Sequence, residues 1–500
     1  MRRPNVNTLM QPPRSPRRLA SLLVVAALAA AAAPAFATPD TTTTSSATTS
    51  STAAGGRAPS DPGSLVPPDP YLPALGNRGI DVRDYDLSIA YEPGSGTLRG
   101  DATLEIRALR RLASFHLDLT GMKVHEITID GKKARASRTD GELIVQPSKP
   151  IARGTEFEVR VRYLGLPEPS LIPGIRLSNG WIPTSDGAVT LSEPDGSNHW
   201  FPANDHPSDK ATFTFRLNVP TPIVAVANGS LQERSDADGR SIWVWSDPAP
   251  MATYLAQVAI GDLVIDDRPA VGDVAIRNVY SPSVSDDATD AADETPAMLE
   301  FFAGWFGEFP FDVYGILVPV EGLSGLAFEA QTLSTFAPDA LNSSIVAHEL
   351  AHQWFGDWVS PAAWDETWLN EGFATYGQWL WEEHALGVPI EANVRLARSH
   401  VNRDLDTATD DPGIDQMFGV ATYERGALVL HALRGELGDE AFRAFLAEYL
   451  DRFGGKSAST EDFIEVASEV ADADLEPFLR PWLGPGPLPV LSPSRSVGTT

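Results

Sequence analysis

Cysteine is missing from all 500 residues, which excludes disulfides, thiolate metal ligands, a cysteine nucleophile and a lipid-modified N-terminal cysteine. Any metal must therefore be held by histidine and carboxylate. Basic residues are scarce: 38 Lys and Arg face 67 Asp and Glu, giving a net charge of −29 and a pI near 4.6. That balance repels nucleic acid and anionic membranes, so no nucleic-acid partner is expected. It attracts cationic peptides modestly and chooses no substrate. Long apolar runs are also lacking. Residues 19–33 form the one sustained run, too short to span a bilayer comfortably, and no other stretch is apolar enough to cross.

That run has the setting of an export signal. A basic segment ends at Arg17-Arg18, and Ala35-Phe36-Ala37 offers an A-x-A cleavage site. Residues 1–37 are expected to be a signal peptide cleaved after Ala37, giving a secreted or extracytoplasmic protein; an uncleaved anchor is the alternative. The residues after the arginine pair fit twin-arginine export poorly. Residues 38–75 begin as Thr, Ser, Ala, Gly and Pro in near-random order, which cannot bury enough surface to fold and reads as a disordered linker.

From 76 to 265 the apolar residues alternate with a period of two, as in YDLSIAYE, EFEVRVRYLG and KATFTFRLNVP, which predicts an all-β domain. Helical patterns take over from about 286. They are expected at 286–306, 367–384, 390–403, 422–436, 439–452 and 460–481, besides the helix carrying the motif below. Residues 266–487 read as a second, mainly helical domain and 488–500 as a disordered tail. The fold class is α+β and multidomain.

The strongest local signal is HELAHQWFGDWVSPAAWDETWLNE, from His348 to Glu371. Residues four apart on a helix lie one turn above each other, so His348 and His352 point the same way and make half of a tetrahedral zinc site. Glu349 lies about 100° around the helix, able to reach a metal-bound water without being a ligand. Glu371, separated from His352 by eighteen intervening residues, is placed to arrive from a second helix as third ligand. That leaves one position open, as catalytic sites do. A solvated helix face with two chance histidines is the competing reading. Ile345, Val346, Leu350, Ala351, Trp354 and Phe355 oppose it, because a helix apolar on most sides is buried and buried His and Glu need partners. Asn342, Ser343 or Ser344 can cap this helix and Gly356 can end it.

Ordered landmarks over most of residues 75–490 resemble the zinc aminopeptidase family that contains aminopeptidase N and leukotriene hydrolase, of the gluzincin type. Trp368-Leu369-Asn370-Glu371-Gly372-Phe373-Ala374 is similar to the family's W-L-N-E-G-F-A. Glu193, followed by Phe201-Pro202 and the Asp205-His206-Pro207-Ser208-Asp209-Lys210 stretch, resembles a pattern whose Gln or Glu helps bind a substrate's α-ammonium. Gly325-Leu326-Ala327-Phe328-Glu329-Ala330 is similar to a segment usually reading G-A-M-E-N; Ala327 and Glu329 match it, while Leu326, Phe328 and Ala330 depart. Tyr423 in Thr422-Tyr423-Glu424-Arg425-Gly426 resembles the family's Y-E-K-G, with Arg425 for Lys.

The resemblance implies a saddle-like β domain, then a thermolysin-like catalytic domain. It implies one zinc ion on His348, His352 and Glu371. Glu349 is then the general base acting on a zinc-activated water, and Tyr423 the oxyanion donor. Substrate would be bound by Glu193, Gly325, Ala327 and Glu329. The implied partner is a peptide with a free N-terminus, and the implied reaction removes its first residue. An endopeptidase, an epoxide hydrolase or a non-catalytic binding protein on the same fold are the alternatives. Larger family members continue with further domains where this chain stops, so a two-domain form with a more open cleft is expected. The tryptophans near the motif read as core packing. The acidic loop of Asp404, Asp406, Asp410, Asp411 and Asp415 lacks calcium-loop spacing and reads as solvated. Oligomeric state has no signal in the sequence.

Overall fold

The computed structural model describes residues 69–139, 141–284, 290–319, 323 and 325–491. The expected signal peptide, most of the expected linker and the last nine residues lie outside the described residues. Among the described residues no helix is long and apolar enough to cross a membrane.

The period-two stretches form strands. In Ile80–Glu92 the residues Tyr85, Leu87, Ile89 and Tyr91 are buried while their neighbours are not, because successive side chains of a strand point to opposite faces. This strand is central in an eight-stranded sheet. It runs antiparallel to Thr97–Ala108 and parallel to Lys210–Pro220, in the register Leu87 opposite Phe215. Tyr85 and Phe213 stack across that pair at 4.7 Å between ring centres. A five-stranded sheet, from Val224–Ala227 through Val258–Gly261 and Ala188–Leu191 to Ser178–Pro183 and Ser170–Leu171, completes most of the β domain. Glu193 lies two residues past the end of the strand Ala188–Leu191, the middle one of this sheet.

A six-stranded sheet opens the second part of the chain, starting with Val264–Val271, inside which the expected boundary at 265 falls. Its last strand in the order, Ala327–Phe328, pairs with Ser334–Phe336. The helices are α1 (Thr295–Phe306), α2 (Ser343–His352), α3 (Trp368–Trp381), α4 (Ile390–Val401), α5 (Gly426–Leu437), α6 (Asp439–Phe453), α7 (Thr460–Ala471) and α8 (Glu476–Leu483). The helix α2 packs on α3, and α3 on α5, where Gly372 and Gly426 meet so closely that a Cβ on either would fall 2.9 Å from the other.

Four expectations change. Residues 69–75, placed in the linker, are ordered, because Asp69 accepts from the backbone N–H groups of Tyr71, Leu72 and Trp364. The helix expected over 460–481 is two, since Asp472 turns left-handed with φ 49° and ends α7. The first helix starts later than 286, with Pro296 in its first turn. Within the expected tail, Leu488 is buried and the Pro489 carbonyl accepts from Arg398.

Candidate metal centre

Asn342 is the cap of α2: its side chain accepts from the N–H groups of Ser344 and Ile345, satisfying two donors that a helix start leaves unpaired. The helix is buried from Ile345 to its end at His352. Glu371 sits in the first turn of α3. The Nε2 atoms of His348 and His352 are 3.1 Å apart, and Glu371 Oε2 lies 3.2 Å from the first and 3.3 Å from the second. A tetrahedral zinc with ligand atoms at 2.0–2.1 Å sets those atoms roughly 3.3 Å from one another.

The protonation pattern fits as well. His352 Nδ1 lies 3.1 Å from the Phe355 carbonyl, which can only accept, so the proton is on Nδ1 and the Nε2 lone pair is free for a metal. Burial pushes His348 down, favouring the neutral imidazole a metal needs. Burial opposes charge on Glu371, yet His352 and His348 hold its carboxyl down at about 2. Burial opposes charge on His352, yet Glu329 and Glu371 lift it well above its ordinary value. Three donors converging at contact distance, two imidazoles and a carboxylate, are what a single zinc ion would occupy.

The sequence-predicted residues converge on one cavity of about 260 Å³, lined by Glu193, Gly325, Ala327, Glu329, His348, Glu349, His352, Glu371 and Tyr423. Glu349 and Glu329 place carboxylate atoms within 4.8 Å of a His352 nitrogen and of each other. Glu193 Oε1, Glu329 Oε1 and Glu349 Oε2 are buried with no hydrogen-bond partner. Burial lifts Glu193 well above the usual carboxylate range, and Glu329 and Glu371 add to it. Burial also lifts Glu349 well above that range, and Glu329 to about 7. Such acids gain most from a cation placed between them. Tyr423 donates its hydroxyl to Glu371 Oε1 at 2.8 Å, and burial keeps that hydroxyl protonated. Gly325 takes φ 65° and its N–H donates to Asp339 Oδ1 at 3.1 Å. Leu326, Ala327 and Phe328 run past the cavity, and the strand Ala327–Phe328 pairs on one side only among the described residues.

Several contributors were invisible in the motif. Gln353 donates from Nε2 to the Glu329 carbonyl at 2.9 Å and accepts from Thr332 N at 2.8 Å, fastening the Glu329 segment to α2. Tyr254 of the β domain donates to the Gly356 carbonyl at 3.2 Å and accepts from Asn370 Nδ2 at 3.1 Å. Ile172, Ile175, Leu191 and Phe418 form an apolar wall of the cavity. The period-two pattern marks Leu191 as buried, but nothing in the sequence sends it to the site.

The chain matches the Peptidase M1 N-terminal domain over residues 82–255 and the Peptidase family M1 domain over 293–482. It belongs to peptidase family M1. A structure of an M1 zinc metallopeptidase mutant from Deinococcus radiodurans, bound to the substrate Tyr-Ser-Ala, is 34% identical with a TM-score of 0.81, covering 85% of this chain and 99% of that one. A two-domain M1 zinc metallopeptidase mutant bound to L-arginine is 33% identical with a TM-score of 0.80, covering 86% of this chain and 100% of its own. Aminopeptidase 2 of Candida albicans is 27% identical over 449 residues, 80% of this chain but 46% of the relative. The chain thus spans about half the length of the curated M1 relatives it matches. The M1 fold of a β domain followed by a helical catalytic domain is what the sequence pattern predicts, and His348, His352 and Glu371 fit its one zinc ion.

Proposed function

We propose that this chain is an exported zinc aminopeptidase that removes the first residue from peptides with a free N-terminus. The observation that carries this reading is the pair of buried, unpartnered carboxylates, Glu193 and Glu329, in the same cavity as the three metal-binding side chains. Two acids at one spot hold an α-ammonium, and a substrate without that charge leaves both unpaired. The amine end is thereby fixed, so the bond within reach of the metal set is the first one. The Deinococcus relative's tripeptide supports the same class of substrate.

Zinc held by His348, His352 and Glu371 would supply Lewis-acid polarisation of the carbonyl and a water acidified toward neutrality. Glu349, which is no member of that triad, takes the proton of the attacking water and returns it to the leaving amine. Its raised proton affinity suits both transfers. Tyr423 keeps its proton and turns its hydroxyl toward the developing oxyanion, a donor typically worth about 3 kcal/mol. The edge of Ala327–Phe328 left unpaired among the described residues offers backbone groups along which an extended peptide can lie. The side chain of the first residue packs against Ile172, Ile175, Leu191 and Phe418, which favours apolar first residues. Export rests on the basic, apolar and A-x-A order of residues 1–37.

A panel of aminoacyl fluorogenic substrates, run on the wild type and on Glu349→Gln, tests the reading. Leucyl, methionyl and phenylalanyl substrates should turn over best, and Glu349→Gln should lose nearly all turnover while still holding one zinc per chain. Activity retained in Glu349→Gln would sink the mechanism.

A further inference from the structure

The mechanism leaves one matched stretch without a role: Asp205 to Lys210, some 140 residues before the metal helix. Lys210 opens the strand Lys210–Pro220 of the β domain, and its ammonium donates to the Asp357 carbonyl at 2.5 Å and the Trp358 carbonyl at 3.0 Å. The Tyr254 hydroxyl, also from the β domain, donates to the adjacent Gly356 carbonyl at 3.2 Å. Three successive carbonyls of the catalytic domain are therefore held by two side chains of the other domain.

Those carbonyls belong to the loop that carries the outer support of a metal ligand. The loop begins at Phe355, whose carbonyl accepts from His352 Nδ1 at 3.1 Å. Its N–H groups return to α2, from Asp357 to the His352 carbonyl at 3.0 Å and from Trp358 to the Gln353 carbonyl at 3.2 Å. Gly356 has φ 127°, and a Cβ there would fall 3.2 Å from His352 Nδ1, so the loop backbone lies directly against the imidazole. Tyr254 further accepts from Asn370, the neighbour of Glu371. A partner holding the second nitrogen of a ligating histidine fixes its tautomer and ring orientation, and its loss typically weakens metal binding about 10- to 100-fold.

We infer that Lys210 and Tyr254 are positioning residues for the metal: from the β domain they hold the Phe355–Trp358 loop against His352, so that docking of the two domains and zinc affinity are linked. The wholly buried Asp357 carboxylate, without a hydrogen-bond partner on either oxygen, agrees with a loop fixed by its backbone and not by this side chain. Linkage is reciprocal, so whatever loosens the junction weakens the metal site.

Zinc dissociation constants measured by competition with a chromophoric chelator, on full-length protein shown to be folded by circular dichroism, test this without recourse to activity. Lys210→Met should weaken zinc binding about 10- to 100-fold, and Tyr254→Phe, which removes one hydroxyl, about tenfold. Val161→Ala, a core truncation in the β domain, should lower Tm yet leave the zinc constant unchanged; a general effect of lost stability would move both. Should Lys210→Met not fold, Tyr254→Phe decides. Folded Tyr254→Phe with wild-type zinc affinity, or Val161→Ala weakened as much as the two positioning variants, overturns the inference. A wild type that takes up no stoichiometric zinc would instead overturn the metal assignment itself.

Discussion

Glu193→Gln keeps the shape of the side chain and removes its charge. In the structure Glu193 Oε1 and Glu329 Oε1 are both buried and unpartnered, so a bound α-ammonium meets two carboxylates in the wild type and one in the variant. A hydrogen bond to a charged group is worth about 1.5–3 kcal/mol, which converts to a loss of roughly 10- to 150-fold in kcat/KM for a peptide with a free amine. The contact exists before and during the reaction, so most of the loss should appear as a higher KM. No metal-binding atom changes, so zinc content should stay at one per chain. The assay is steady-state hydrolysis of a leucyl fluorogenic amide beside its N-acetyl counterpart. The acetylated substrate never engages Glu193 as a cation, so its low rate should not move. A kcat/KM within about threefold of wild type, or a proportional fall on the acetylated substrate, would refute the ammonium-binding role.

Gly356→Ala puts a methyl 3.2 Å from His352 Nδ1 at a backbone φ of 127°, strain on the order of 1–3 kcal/mol; calorimetry should show a lower Tm and chelator competition a weaker zinc site. Asp209, lifted by burial and then by Asp81 to about 8, holds its proton more tightly folded than unfolded. Its stabilising effect is complete below about pH 4 and is lost as pH rises toward 8. Asp209→Asn should therefore flatten the decline of Tm between those values, and an unaltered Tm–pH slope would contradict the burial argument.

The parts of the site that a reader of the sequence reaches are those set by local periodicity. His348 and His352 are one helical turn apart, and a helix of that pattern exposes both rings to one point whatever surrounds it. The side chain of Asn342, first in the polar run Asn342-Ser343-Ser344, caps α2 as its type dictates. The β alternation is equally local, and the Phe213 and Phe215 faces follow from it. What stayed hidden depends on long contacts. Lys210 reaches a loop 147 residues on, and Asp69 holds Trp364 N across 295 residues, so the end of the expected linker is ordered by a segment with which it shares no pattern. The split after Ala471 turns on one residue, Asp472, which adopts the left-handed conformation usually left to Gly or Asn. Glu193 and Glu329 read as ordinary acids until the fold buries them in one cavity; only the resemblance to a family pointed to them.

The central claim is that this chain acts from a free amino end. Its most direct test is one peptide in two forms, free and N-acetylated, incubated with the zinc-loaded full-length chain and followed by mass spectrometry. The free form should lose single residues in order from its N-terminus while the acetylated form stays intact. Equal cleavage of both, or cleavage at internal bonds, would contradict the account.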